Sequence, residues 1–263
     1  MITIDKELCI GCGACINDCP GNALKLEEKK AVSVRECIQC GHCVAVCPVK
    51  AVSIPEYDME EVEEYDPDTF TVSPEHFLHA IKFRRSIRNF RSEPLSQETL
   101  TDILNAGRYT ATAKNMQDCR FILVQERLEE LKELIWQELP KILPRLEEKN
   151  SPYFRPFRYF YKLYQHDPSV NQFFFNCTAF LVIGSLSPLD GGLAAANIEN
   201  MAVAKGAGAL YSGYLQNLIK ESPVLQKWLE IEDREISCCM LLGYPAVSYK
   251  RTAPRKKADI VWK

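Results

Sequence analysis

The sequence predicts an α+β protein in two parts. Eight of its twelve cysteines fall before residue 48, in two runs offset by 28 residues. An acidic stretch follows, from Glu56 to Asp68, with eight acidic and no basic residues. Beyond Ser73 the apolar pattern alternates between helical and strand periods. These observations divide the 263 residues into a small module over 1–55, an acidic linker over 56–75 and a larger domain over 76–263.

In the first part, Ile2-Thr3-Ile4 and Ala31-Val32-Ser33-Val34 alternate as short strands do. Ala23-Leu24-Lys25-Leu26 and Ala51-Val52-Ser53-Ile54 repeat the same pattern. Each half then reads as strand, cysteine loop, strand, and neither half has enough apolar surface for a core of its own. The linker, with Pro55 and Pro67 near its ends, reads as a solvated connector; a docking patch for a basic partner is the alternative.

In the larger part, Ser96 caps a helix carrying Leu100, Ile103 and Leu104. Phe121–Val124 reads as a buried strand, and Leu128–Leu139 as an amphipathic helix stopped by Pro140 and Pro144. Ser151–Phe175 is aromatic and irregular; its rings either fill the core or line a mouth for flat substrates. Ala179–Ser185 and Ser237–Gly243 are further buried strands. Leu193–Lys220 reads as a long helical stretch interrupted at Gly206-Ala207-Gly208, whose glycines suit a close helix crossing.

The net charge of −3 implies no general affinity for nucleic acid. No apolar run approaches the ~20 residues of a membrane helix, and no basic stretch leads into an apolar one at the start, so no signal peptide is expected. These features predict a cytoplasmic protein without a membrane partner. In a reducing compartment its cysteines are metal ligands rather than disulfides.

The cysteine runs are Cys9, Cys12, Cys15, then Cys19-Pro20, and Cys37, Cys40, Cys43, then Cys47-Pro48. Three thiolates at this spacing reach three irons of a [4Fe–4S] cube. In the bacterial pattern the fourth cysteine of each run serves the other cluster. Cys9, Cys12, Cys15 and Cys47 are thus expected to hold one cluster, and Cys37, Cys40, Cys43 and Cys19 the other. A zinc site would use two pairs of ligands instead of two triplets with a trailing Cys-Pro. Residues 1–55 resemble the bacterial two-cluster ferredoxins.

Arg84-Arg85-Ser86-Ile87-Arg88-Asn89-Phe90 is the second informative string. By composition it is a solvated or nucleic-acid-binding basic run. The physical alternative is a phosphate cradle, because guanidinium forks and a hydroxyl match phosphate oxygens. Ala113-Lys114-Asn115-Met116-Gln117, Ala204–Gly213, Leu242-Gly243-Tyr244-Pro245 and Pro254-Arg255-Lys256-Lys257 follow in that order. This succession resembles the FMN-dependent nitroreductase family over residues 76–263. With the cysteine module, it resembles the ferredoxin-fused nitroreductase-like proteins of anaerobes.

The resemblance implies a mixed sheet flanked by helices, FMN as cofactor and a homodimer. It matches Arg84, Arg85 and Ser86 to phosphate ligands, Arg88 to a cation beside the flavin pyrimidine, and Asn115 to an amide on the flavin ring. Ser212 and Gly213 match a turn beside the ring, and Arg255 and Lys256 match cations closing over the phosphate. Asp118-Cys119 departs from the Pro-Trp common in the family. No catalytic residue is assigned. The expected activity passes single electrons from an external donor, such as reduced ferredoxin, through two [4Fe–4S] clusters to FMN, and on to a small-molecule acceptor of the nitro, quinone or enone kind. The rival expectation is an electron-transfer or redox-sensing module acting on a protein. Cys119, Cys177, Cys238 and Cys239 lack ligand spacing and read as small buried hydrophobes.

Overall fold

The computed structural model describes residues 2–169 and 172–263. The chain divides into two compact units: a smaller one reaching to Val72 and including Thr112–Met116, and a larger one of Ser73–Ala111 and Gln117–Lys263.

In the smaller unit the repeat in sequence is a repeat in structure. Its strands are β1 (Thr3–Ile4), β2 (Leu24–Glu27), β3 (Lys30–Ser33) and β4 (Val52–Ser53). Two one-turn helices, α1 (Ala14–Asn17) and α2 (His42–Ala45), follow left-handed glycines at Gly13 and Gly41. The strands pair antiparallel as β1 with β4 and β2 with β3, so each ribbon takes one strand from each half. Between the ribbons lie Ile2, Leu24, Ala31, Val52 and Ile54 together with Cys9, Cys15 and Cys43. The thiols complete a core that the few apolar side chains begin.

The acidic stretch is more ordered than a solvated connector. Asp58 caps a 3-10 turn at Met59–Glu61, and Asp66 caps α3 (Pro67–Phe70). Met59 packs on the small core, and Lys50 pairs with Glu64 at 2.6 Å.

The larger unit is built on the sheet β5 (Arg120–Val124), β6 (Ala179–Ser185), β8 (Glu235–Gly243) and β7 (Gly208–Tyr211), in that spatial order and antiparallel throughout. A parallel bridge from Ser86 to Ala209 makes the sheet mixed at its β7 edge. The central strands alternate between two apolar layers. Phe180, Val182, Cys239 and Leu241 face one layer, and Leu181, Ile183, Met240 and Leu242 face the other. The second layer is covered by α5 (Gln97–Arg108) and α8 (Pro188–Ala204), and the first by α6 (Leu128–Glu148), α7 (Phe154–His166), α9 (Gly213–Glu221) and α10 (Pro223–Trp228). Helix α4 (Pro74–Phe83) precedes this sandwich and is exposed along its length. Among the described residues no helix is long and apolar enough to cross a membrane.

Three local expectations change. Helix α6 does not stop at Pro140 but runs to Glu148. Burial of Leu139, Ile142 and Leu146 on one face outweighs the hydrogen bonds that Pro140 and Pro144 remove. The aromatic segment contains a regular helix, α7, with Phe157 fully buried. The expected long helix over 193–220 is instead helix, strand, helix. Helix α8 ends in a Schellman turn at Gly206, where Ala207 N–H donates to Ala202 O at 2.8 Å, and β7 then pairs with β8.

Candidate functional site

The first cysteine loop curls around a cavity lined by Cys9, Cys12, Cys15 and Cys47. Three of these thiols come from the first run and one from the second, which is the crossed set expected from the sequence. Backbone N–H groups already point at the sulfurs: Ala31 to Cys9 at 3.5 Å, Ala23 to Cys19 at 3.3 Å, Gln39 to Cys37 at 3.3 Å and Ala51 to Cys47 at 3.2 Å. The bonds to Cys19 and Cys47 are equivalent under the 28-residue offset.

Electrostatics within the loops fit a cationic guest. N–H donation from Ala31 and Gly11 draws the Cys9 thiol below its ordinary range. Burial, reinforced by Cys37 and Cys40, pushes Cys43 up to about 11; burial and Cys12 push Cys15 up as well. Gathered thiolates repel, and iron relieves that repulsion. Among the described residues no three metal-binding side chains converge on a single ion. Thiols set around a void suit a cube with irons at separate corners.

In the larger unit the basic string lies beside β7. Ile87 N–H donates to Ala209 O at 3.0 Å, and Arg91 N–H donates to Tyr244 O at 2.8 Å. The approach requires glycine at 208, where a Cβ would stand 2.5 Å from Ile87 Cγ1. Two cavities open along this string. One, of about 440 Å³, is lined by Arg84, Arg85 and Arg91 with Gly206, Gly208 and Tyr249. The other, of about 250 Å³, holds Arg88, Ser212 and Gly213 against Tyr153, Phe160 and Phe173. The first has the charge for a phosphate; the second has apolar walls and a cation at its edge, as a flat polar ring needs. Ser212 Oγ accepts from Leu215 N–H at 3.3 Å and caps α9, so the positive end of that helix adjoins the aromatic cavity.

The structure adds partners that the sequence did not signal. Arg84 Nη1 donates to Glu199 Oε1 at 2.8 Å, and Tyr211 also bonds that carboxylate. Burial pushes the Glu199 carboxyl up, against the pull of Arg84. Arg85 lies over the Tyr249 ring, 5.7 Å from its centroid. The rings of 153–175 divide between roles. Phe157 and Phe174 are buried in the core, Tyr153, Phe160 and Phe175 line the second cavity, and the buried Phe173 does both.

The remaining candidates lie elsewhere. Ser86 is half-buried at its bridge to Ala209. Asn115 folds with the smaller unit, its amide donating to Gln39 O at 2.9 Å and Ile38 O at 3.3 Å. Arg255 and Lys256 are exposed in the terminal coil, where Arg255 donates to Pro254 O at 3.3 Å, and neither lines either cavity. At the departure from the family pattern, Asp118 accepts from Leu186 N–H, and its carbonyl accepts from Arg234 at 2.6 Å. Burial and the Asp118 and Asp190 carboxylates push the Cys119 thiol up, the reverse of a reactive cysteine. Burial pushes Cys177 and Cys238 up to about 12.

Comparison with known proteins agrees with this division. A model of the 4Fe-4S dicluster domain matches residues 1–48, and a model of the nitroreductase family matches residues 81–244. Among solved structures, a nitroreductase with bound FMN from Bacteroides fragilis superposes with a TM-score of 0.55 at 20% identity, over 70% of this chain and 98% of that one. One from Desulfitobacterium hafniense, also with bound FMN, gives 0.55 at 22%, over 70% and 97%. An FMN-dependent nitroreductase from Clostridium difficile gives 0.52 at 18%, over 72% and 100%. No curated protein matches the chain. The extent of the family match, together with the basic string folded against β7, establishes that this chain belongs to the nitroreductase family and carries a 4Fe-4S dicluster domain ahead of it.

Proposed function

We propose that the protein is an FMN-dependent oxidoreductase that takes single electrons from an external donor through two [4Fe–4S] clusters to FMN, and reduces an organic acceptor such as a nitro compound, quinone or enone. One observation carries this reading: the same chain holds a four-thiol cavity and, in its other unit, an arginine-lined cavity and an aromatic pocket along one basic string. Clusters exchange one electron at a time and a flavin one or two, so the pair converts single-electron supply into two-electron delivery.

The chain's own residues have separable tasks. The eight thiols Cys9, Cys12, Cys15, Cys19, Cys37, Cys40, Cys43 and Cys47 ligate iron, and N–H groups on their sulfurs stabilise the more negative, reduced state. Arg84 and Arg85 take the phosphate, with Ser86 held next to them in sequence by its bridge to Ala209. Arg88 stands at the edge of the aromatic pocket, where a cation favours an anionic reduced ring. Ser212 and Gly213 bring the N-terminus of α9 to the same pocket. Tyr153, Phe160 and Phe173 supply flat walls on which an aromatic acceptor stacks and from which water is excluded. A homodimer belongs to this reading: α4 exposes Phe77, Leu78, Ile81 and Phe83, an apolar face of the kind that a second copy covers.

The test is anaerobic purification followed by iron, sulfide and flavin analysis, then mixing of the reduced protein with small acceptors. About eight irons and one FMN per chain, with rapid reoxidation by a nitroarene or quinone, is the expected result. A colourless preparation, or one that only a protein partner reoxidises, would overturn it. Mixing with NADH alone distinguishes the donor, and slow or absent bleaching is expected.

A further inference from the structure

The two cysteine loops repeat at an offset of 28, yet one pair of positions differs in a way that matters to the backbone. Gly11 in Cys9-x2-Cys12 corresponds to Gln39 in Cys37-x2-Cys40. Both are left-handed, with φ +70° and +52°. At Gly11 a side chain is excluded, because a Cβ would stand 2.0 Å from Lys29 O. Gln39 carries a side chain into a conformation that residues with a Cβ avoid, so the second loop needs restraint from outside.

Asn115 supplies it. Its amide Nδ2 donates to Gln39 O at 2.9 Å and to Ile38 O at 3.3 Å, and stands 3.5 Å from Tyr57 Oη. The two carbonyls flank the Gln39 α-carbon, so both of its soft dihedrals are held. The N–H of Gln39 meanwhile donates to Cys37 Sγ at 3.3 Å, and its side chain bonds the Glu56 carboxylate. Asn115 lies in a turn with Lys114, both left-handed at φ +55° and +53°. That turn folds with the smaller unit although its neighbours in sequence, Ala111 and Gln117, belong to the larger one.

We propose that Asn115 is a positioning residue for the second cluster loop: by clamping the Ile38 and Gln39 carbonyls it keeps the Gln39 N–H on Cys37 Sγ, the counterpart of the Gly11 N–H on Cys9, so the second loop holds by an external clamp the bond that the first holds through a glycine. The inference rests on the two-cluster reading given above. An N–H bond to a ligand sulfur stabilises the reduced cluster and raises its potential; releasing the clamp lowers it. A segment embedded in the sequence of the flavoprotein part thereby sets the poise of the second cluster.

The test uses the anaerobic holoprotein and compares wild type with Asn115→Asp, which keeps the shape but loses both donors. Each cluster is titrated by EPR, the second being the signal that Cys40→Ser removes, and hydrogen exchange is followed at Gln39. The expected result is a lower potential for the second cluster alone, about tenfold faster exchange at Gln39, and unchanged iron content. Gln39→Gly relieves the backbone conflict, so in that background the effect of Asn115→Asp on exchange shrinks. Two clusters that move together, two that stay put, or a change confined to the flavin spectrum would overturn the inference while leaving the two-cluster reading intact. Iron-free wild-type protein would overturn both.

Discussion

Arg84 Nη1 and Glu199 Oε1 lie 2.8 Å apart, with their side chains 23% and 9% exposed. A phosphate at the cradle must therefore share a guanidinium that a buried carboxylate already holds. Arg84→Ala removes one charge-assisted bond to phosphate, about 1.5–3 kcal/mol, and should weaken FMN binding ~10- to 100-fold. Glu199→Gln removes the competing charge and should tighten it several-fold. Titration of flavin-free protein with FMN, followed by fluorescence, decides this. Equal weakening by both variants would mean that the pair acts only as scaffold.

Gly208 faces Ile87 so closely that an added Cβ would stand 2.5 Å from Cγ1, with Pro245 Cγ at 3.1 Å. Gly208→Ala should cost about 1–3 kcal/mol by overpacking. It should also displace Ser86 and Arg88 on either side of Ile87, so flavin content falls while the cluster spectrum persists. Ile87→Ala in the same chain makes room, and partial recovery of FMN retention is expected. Thermal melts and flavin analysis of wild type and the two variants read both effects.

The crossed thiol set makes a prediction about which substitutions resemble each other. Cys47 lines the cavity with Cys9, Cys12 and Cys15. Cys47→Ser and Cys12→Ser should therefore remove the same EPR signal and roughly half the iron, whereas Cys19→Ser should remove the signal lost in Cys40→Ser. If Cys19→Ser instead copies Cys12→Ser, the ligands are uncrossed.

What the sequence made legible is what local spacing encodes. The cysteine runs are read at once because ligand geometry fixes the interval between thiols. Strands β6 and β8 are read as apolar runs because both of their faces are buried. The Ser96 cap is read because its bond to Thr99 N–H, 3.1 Å, spans three residues. The misread elements are those decided at long range. β7 is Gly-Ala-Leu-Tyr, with two good helix formers, and becomes a strand by pairing with β8 and by accepting the basic string beside it. Pro140 and Pro144 read as stops, yet Ile142 and Leu146 continue the buried face of α6. Glu199 carries no motif, and its meaning comes from a partner 115 positions away. The amide of Asn115 donates to carbonyls 76 and 77 positions earlier, a contact that no local spacing encodes.

Glu138 of α6 contributes to acid sensitivity. Its Oε2 accepts from Ser222 Oγ at 2.8 Å, and its Oε1 accepts from Lys141 Nζ at 2.7 Å. Ser222 Oγ in turn accepts from Leu225 N–H at 3.3 Å and caps α10, so one carboxylate ties α6 to the start of another helix. Burial pushes this carboxyl up, but Lys141 and Ser222 outweigh it and hold it below its ordinary range. The unfolded chain, with a glutamate pKa of about 4.3, then takes up the proton first as pH falls. The stabilisation is accordingly complete above that value and is lost as pH drops through the lower folded pKa. Glu199, whose carboxyl is pushed up, contributes with the opposite sign. Glu138→Gln should lower the melting temperature at pH 7 and flatten its decline below pH ~4.3, while Glu138→Ala, which leaves the buried Ser222 hydroxyl without this acceptor, should cost about 1–3 kcal/mol. Melting curves for the three proteins across that acid range measure both. A wild-type acid slope that survives in Glu138→Gln would assign the sensitivity to other carboxylates.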